Sequence, residues 1–146
     1  MKRAMTSSFD ALIDSDAFVG LIFPNDAHHQ NASQMFQDMA LRKLHIACTN
    51  VAVTETITVL SHRQGQKLAK QFLEYLAQTE LTIIRVTNPR EECALDIFKH
   101  QIKKGTSFVD CANVAIMKEL DIPYIASFDQ GYEKQFGVKL LLSTAK

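Results

Sequence analysis

Short apolar, β-branched runs alternate along this chain with longer stretches whose apolar residues recur at helical spacing, and that alternation leaves few possible folds. Phe9 to Asp14 reads as a short buried strand, and residues 16–23 stay apolar until the stop-and-turn signal Pro24-Asn25-Asp26. From about Ala27 to Lys43, the residues Ala32, Met35, Phe36, Met39 and Ala40 share one helical stripe. Leu44 to Cys48 suits a second strand. Thr49-Asn50 can cap a helix to about Arg63, with Val51, Val59 and Leu60 sharing a stripe with Glu55. Gly65 breaks that helix, and Leu68, Ala69, Phe72, Leu73 and Leu76 mark the next. Leu81 to Val86 is strongly β-branched and strand-like. Asn88-Pro89 starts a helix with Ala94, Leu95, Ile97, Phe98 and Ile102 inward, ended by Gly105. Thr106 or Ser107 caps a helix through Leu120, Pro123 to Phe128 is a strand, Tyr132 to Phe136 a short helix, and Val138 to Leu142 a last strand. The pattern predicts a three-layer α/β/α sandwich around a central, mostly parallel sheet. With 146 residues and no linker, repeat or low-complexity segment, a single domain over residues 1–146 is expected.

Against that apolar background, carboxylates stand out at four places. Asp14, with Asp16 close behind, interrupts the run from Phe9 to Ile22. Glu55 is the only charged residue from Thr49 to His62, Asp110 the only one between Gly105 and Met117, and Asp129 ends the run from Pro123 to Phe128. An unpaired buried carboxylate shifts its pKa, finds a partner or binds a metal. Lysine and arginine are absent from all of these runs, so no counter-charge is local. In an open parallel sheet ligands bind at the carboxyl ends of the strands, where Asp14 and Asp129 fall. Asp110 falls in the first turn of a helix, where the dipole favours an anion, and the stripe carrying Glu55 turns it toward the sheet. A shared divalent cation answers all of these anomalies together. Carboxylates without histidine or cysteine select Mg²⁺ or Mn²⁺ over zinc, and such ions commonly serve phosphoryl chemistry.

Lys plus Arg equal Asp plus Glu at 16 each, so net charge gives no general attraction to nucleic acid. The basic stretches Lys99 to Lys104 and His62 to Lys67 read as solvated helix faces. No apolar run reaches the length of a membrane span, and Met1 to Ser8 has no apolar core of a signal peptide behind it. The cysteines, Cys48, Cys93 and Cys111, are odd in number and widely spaced, which suits a reducing cytoplasm better than a disulfide or zinc scaffold.

The segments Leu12-Ile13-Asp14-Ser15-Asp16-Ala17-Phe18, Thr49-Asn50-Val51-Ala52-Val53-Thr54-Glu55, Ser107-Phe108-Val109-Asp110-Cys111-Ala112 and Ile125-Ala126-Ser127-Phe128-Asp129-Gln130-Gly131-Tyr132 resemble the four motifs of PIN-domain ribonucleases. They stand in the family's order over nearly the whole chain, nearest to the small VapC-type toxins of toxin–antitoxin pairs. The resemblance implies a Mg²⁺- or Mn²⁺-dependent endoribonuclease with Asp14, Glu55, Asp110 and Asp129 as acids and Ser127 as the strand-end hydroxyl. It further implies an RNA substrate, a cognate antitoxin and a homodimer, to which apolar residues near Phe23, Met35 and Met39 would contribute, although Met35 with Met39 reads equally as ordinary core. Asp16 stands where the family more often carries Asn, Ser or Thr, so it ranks as an outer acid. Asn113, one turn after Asp110, could orient a metal-bound water.

Each residue also has a plainer role. Asp14 and Asp129 could cap helices, Asp110 could be a first-turn dipole partner, and Asn113 a polar residue on a helix face. Glu55, in mid-helix, has no capping role. His28-His29 and His62 read as surface histidines, and Thr54, Thr56 and Thr58 as local hydrogen-bonders. The alternative to a nuclease is a catalytically weak PIN-like RNA-binding or scaffold module holding a structural cation.

Overall fold

A computed structural model describes residues 8–142. The start of the amino-terminal stretch read above as lacking a signal peptide, residues 1–7, lies outside the described residues. The strands are β1 (Ala11–Ile13), β2 (Ile46–Thr49), β3 (Thr82–Ile84), β4 (Tyr124–Ala126) and β5 (Lys139–Leu140). The helices are α1 (Ser15–Ile22), α2 (His29–Leu41), α3 (Asn50–Gln64), α4 (Gln66–Gln78), α5 (Asn88–Lys99), α6 (Phe108–Leu120) and α7 (Gly131–Phe136). The sheet runs in the order β3-β2-β1-β4-β5 with every pairing parallel.

β1 is the central strand, and its Leu12 lies opposite both Ala47 and Ile125. A parallel strand between two others is covered on both faces, so it must be apolar throughout rather than alternating. Ala11, Leu12 and Ile13 are accordingly sealed from solvent. Successive side chains still point to opposite faces. Ala11 and Ile13 join Phe18, Met35, Leu60 and Phe72 from α1 to α4, whereas Leu12 joins Val114, Ile116 and Tyr132 from α6 and α7. Ala94 of α5 packs on Cys111, Ala112 and Ala115 of α6. The three layers follow.

Helix ends are set by local chemistry. Thr49 Oγ1 accepts from the Ala52 amide to cap α3, and Gly65, at φ +103°, ends it. Ser107 and Asp110 cap each other's amides at the start of α6 in a reciprocal box.

Two expectations are corrected. α5 stops at Lys99, not near Gly105, because the His100 amide turns onto the carbonyls of Ile97 and Phe98. Ile102 is therefore fully exposed, Leu95 and Phe98 are nearly half exposed, and the basic stretch from His100 to Lys104 is loop rather than helix face. Phe23, Met35 and Met39 cannot form a contact surface. They are only 8%, 4% and 2% exposed, packed in the core between α1, α2 and the sheet.

The strand order fixes where a cleft can open. From β1 the chain steps outward through β2 and β3, then returns to β4 on the other side of β1. The reversal leaves a crevice at the carboxyl ends of β1 and β4, where the connections depart in opposite directions. Asp14 follows β1 directly, and Ser127 follows β4.

Candidate active site

Asp14 sits at the mouth of this crevice, 4% exposed. Its Oδ1 accepts from the Ser15 amide at 2.8 Å and from Asn113 Nδ2 at 3.1 Å. Asn113, on the buried face of α6, is sealed from solvent. Its second amide proton goes to the Tyr132 hydroxyl at 3.0 Å, and its Oδ1 accepts from Thr49 Oγ1 at 3.3 Å. Tyr132 in turn donates to Asp110 Oδ1 at 3.2 Å. One buried amide and one phenol thus tie the ends of β1, β2, α6 and α7 together.

On the other side, Ser127 Oγ lies 3.1 Å from Asp14 Oδ2 and 3.0 Å from Asp16 Oδ2. A hydroxyl has one proton to give. Asp14 and Asp16 therefore cannot both be served as carboxylates by Ser127 at once. Asp16 Oδ2 also accepts from the Phe128 amide at 2.8 Å, while its Oδ1 is buried with no hydrogen-bond partner.

Burial pushes the Asp14 carboxyl well above its ordinary range, and the charges of Asp16 and Asp110 push it further. Asp16 is raised by burial and by Asp129, against the pull of the Phe128 amide and Ser127 hydroxyl. Asp110 is raised by burial and by Asp129, partly offset by Ser107 and Tyr132. Tyr132 is held far above its usual value by burial and by the acids around it, so it stays a neutral donor. The ion pairs among the described residues, Arg42–Asp38, Arg63–Asp26 and Arg90–Glu119, leave this group of acids without a cation.

The remaining candidates stand further out. Glu55, half-buried on α3, receives the Ser15 hydroxyl at 2.6 Å, so it reaches the crevice through the residue that follows Asp14. Asp129 is exposed, and its Oδ1 accepts from the Gly131 amide at 2.8 Å. That is the helix-end role considered for it above, although its charge is felt at Asp16 and Asp110. Asp110 likewise spends one oxygen on the Ser107 amide. Asp16, ranked as an outer acid, instead lies inside the group. Tyr132, Thr49 and Ser15 were not foreseen. Tyr132 carried a usable signal, an aromatic with a polar tip three residues after an acid at a strand end. His28, His29 and His62 bond none of these acids: His28 stacks on Phe128, His29 Nδ1 meets the Gly20 carbonyl, and His62 is exposed on α3.

The donors around the crevice are all oxygen, the chemistry of a hard cation. Among the described residues no three His, Cys, Asp or Glu side chains stand close enough to hold one ion together. Mg²⁺ does not require that, since it keeps several waters and is usually bound through one or two carboxylates. The unpartnered Asp16 Oδ1 and the proton shortage between Asp14 and Asp16 both fit a bound cation.

The model of the PIN domain family matches residues 11–135 of this sequence. The chain belongs to the PIN-domain family. Among solved structures it is similar to Mycobacterium tuberculosis VapC20, a toxin that cleaves the sarcin-ricin loop, with a TM-score of 0.79 at 23% identity over 90% of this chain and 98% of that one. It is also similar to VapBC2 from Rickettsia felis, solved on a DNA fragment from its promoter, with a TM-score of 0.59 at 12% identity over 90% and 97% of the two chains. At such identities the likeness is one of fold. No curated protein sequence matches the chain significantly.

Proposed function

We propose that this protein is a Mg²⁺- or Mn²⁺-dependent endoribonuclease acting as the toxin of a type II toxin–antitoxin pair. The observation that carries this reading is the group of Asp14, Asp16 and Asp110, raised in pKa and without a cation, in the crevice between β1 and β4. When bound, a divalent cation supplies positive charge for phosphate oxygens and makes water a stronger nucleophile. Asp14 and Asp16 would hold it, with Asp110, Glu55 and Asp129 reaching it directly or through water. Asn113 fixes the rotamer of Asp14, and Tyr132, neutral at working pH, holds Asp110. Ser127 and the Phe128 amide hold Asp16.

The toxin assignment leans on the shared fold with VapC20 and VapBC2. It implies an antitoxin partner, a homodimer and a cytoplasmic setting; no helix among the described residues is long and apolar enough to cross a membrane. With Phe23, Met35 and Met39 in the core, the contact surface would draw on Leu95, Phe98 and Ile102 instead.

Product analysis tests the chemistry. Attack by water should leave 5′-phosphate and 3′-hydroxyl ends on single-stranded RNA. Ends carrying 2′,3′-cyclic phosphate would refute it, and RNA bound without cleavage in Mg²⁺ or Mn²⁺ would favour the scaffold alternative.

A further inference from the structure

His28 lies flat against Phe128, the ring centroids 4.4 Å apart and the planes within 9° of parallel. The pair is fixed from both sides. The Phe128 amide donates to Asp16 Oδ2, which ties this residue's backbone to the acid group. The His28 amide donates to Asp26 Oδ2 at 2.9 Å, and Arg63 holds Asp26 Oδ1 at 2.6 Å. Phe128 is half-buried against the core, whereas His28 is exposed. With one face of the imidazole covered by Phe128, its open surface is the opposite face and the edge.

The location gives this stack its meaning. The His28 carbonyl lies 3.3 Å from where a Cβ on Gly20 would stand. Gly20 is four residues after Asp16 on α1, so just over one helical turn, roughly 6 Å, separates them along the axis. Through Phe128, whose amide meets Asp16 and whose ring carries His28, the flat face stands on the rim of the acid crevice, on the side where a nucleotide next to the scissile phosphate would lie. Arg63 also pairs with Asp26, so the acid that holds the His28 amide adds no unpaired negative charge beside the stack.

We infer that His28, backed by Phe128, is a stacking platform for a base of single-stranded RNA next to the scissile phosphate. Every base has a π-face, and aromatic rings commonly hold splayed bases in this way. The role rests on the nuclease reading above and adds to it a positioning residue that holds RNA without touching the reacting atoms. The second ring brings rigidity: a histidine already stacked on one side loses little freedom when a base stacks on the other.

The test uses the full chain carrying Asp14→Asn, so that RNA stays whole, with Mg²⁺ and single-stranded RNA oligonucleotides bearing one 2-aminopurine at successive positions. Fluorescence should be quenched most at one position, adjacent to the cut mapped with the unsubstituted protein. His28→Ala should remove that quenching and weaken RNA binding about 10-fold, the usual order for losing one stacked base. His28→Phe should restore both, because the flat face matters and not the charge. With cleaving protein, His28→Ala should raise KM far more than it lowers kcat, and an abasic nucleotide at that position should cancel the difference.

Unchanged binding and quenching in His28→Ala would overturn the proposal. So would a His28→Phe variant that regains the melting temperature without regaining RNA binding, since the ring would then serve the fold alone. Loss of affinity for a protein partner with RNA binding intact would also overturn it. If the unsubstituted protein cuts no RNA, the nuclease reading fails, and the binding and quenching results still decide the platform.

Discussion

Asn113→Ala removes the one side chain that touches Asp14, Thr49 and Tyr132 together. The hydrogen bond to the Asp14 carboxyl is worth about 1.5–3 kcal/mol when that group is ionised, and the two neutral bonds about 1 kcal/mol each. Water entering the vacated space would restore part of this, since the cavity is lined by polar groups. A net loss of about 3 kcal/mol is expected, which for a chain of this size lowers the melting temperature by roughly 10 °C. Cleavage should fall by more than the fraction unfolded explains, because Asp14 and Asp110 lose the amide and phenol that align them. The assay is a thermal melt of the metal-free protein beside RNA cleavage at a temperature where both proteins are folded. A shift under about 2 °C with full cleavage would refute the claim that Asn113 organises the crevice.

Asp14→Asn and Asp110→Asn should each abolish cleavage while leaving the metal-free melting temperature unchanged or higher, because each removes a buried charge from a mutually repelling group; undiminished cleavage in both would remove the acids from the mechanism. The raised carboxyls also set a pH dependence. Asp14, Asp16 and Asp110 are protonated in both folded and unfolded chains below about pH 4, and the native state loses stability as pH climbs through their raised folded values. The melting temperature of Asp14→Asn minus that of the unsubstituted protein should therefore grow from pH 4 toward neutrality without metal and shrink when Mg²⁺ is added. A flat difference would contradict the burial of Asp14. Among the cysteines, exposed Cys93 should react with a thiol reagent in the native state, while buried Cys48 and Cys111, their thiols pushed up to about 12 and about 11, should react only on unfolding, as a spectrophotometric titration would show.

Much of this architecture is readable from side-chain periodicity. Ala11-Leu12-Ile13 and Ile125-Ala126 look like buried parallel strands because nothing in them needs water, and Thr49 and Ser107 announce helix starts. The end of α5 was not legible, because Ile102 continues the apolar stripe while the chain has already turned at His100. Local pattern records what a residue could pack against, not whether a neighbour is there. Met35 and Met39 illustrate the converse: their stripe allows either core or contact surface, and α1 and the sheet make them core. In the site, the isolated acids were visible as charges in apolar runs. Of the side chains that hold them, Asn113 and Ser127 are legible as candidates and Tyr132 is not, and the partners of all three are hidden, since these bonds span sequence distances such as 99 and 22 residues. The place of Asp16 inside the acid group is not legible either, because the groups that bond it, Ser127 and Phe128, lie far along the chain.

The central claim is that the acids of the β1–β4 crevice hold a divalent cation that makes the protein a ribonuclease. It is tested most directly by incubating the purified full-length protein with single-stranded RNA in millimolar Mg²⁺ or Mn²⁺, and again in excess EDTA. The account predicts cleavage with either ion, none in EDTA, recovery on adding the ion back, and none at any stage with Asp14→Asn. Robust cleavage by the unsubstituted protein in excess EDTA would contradict it.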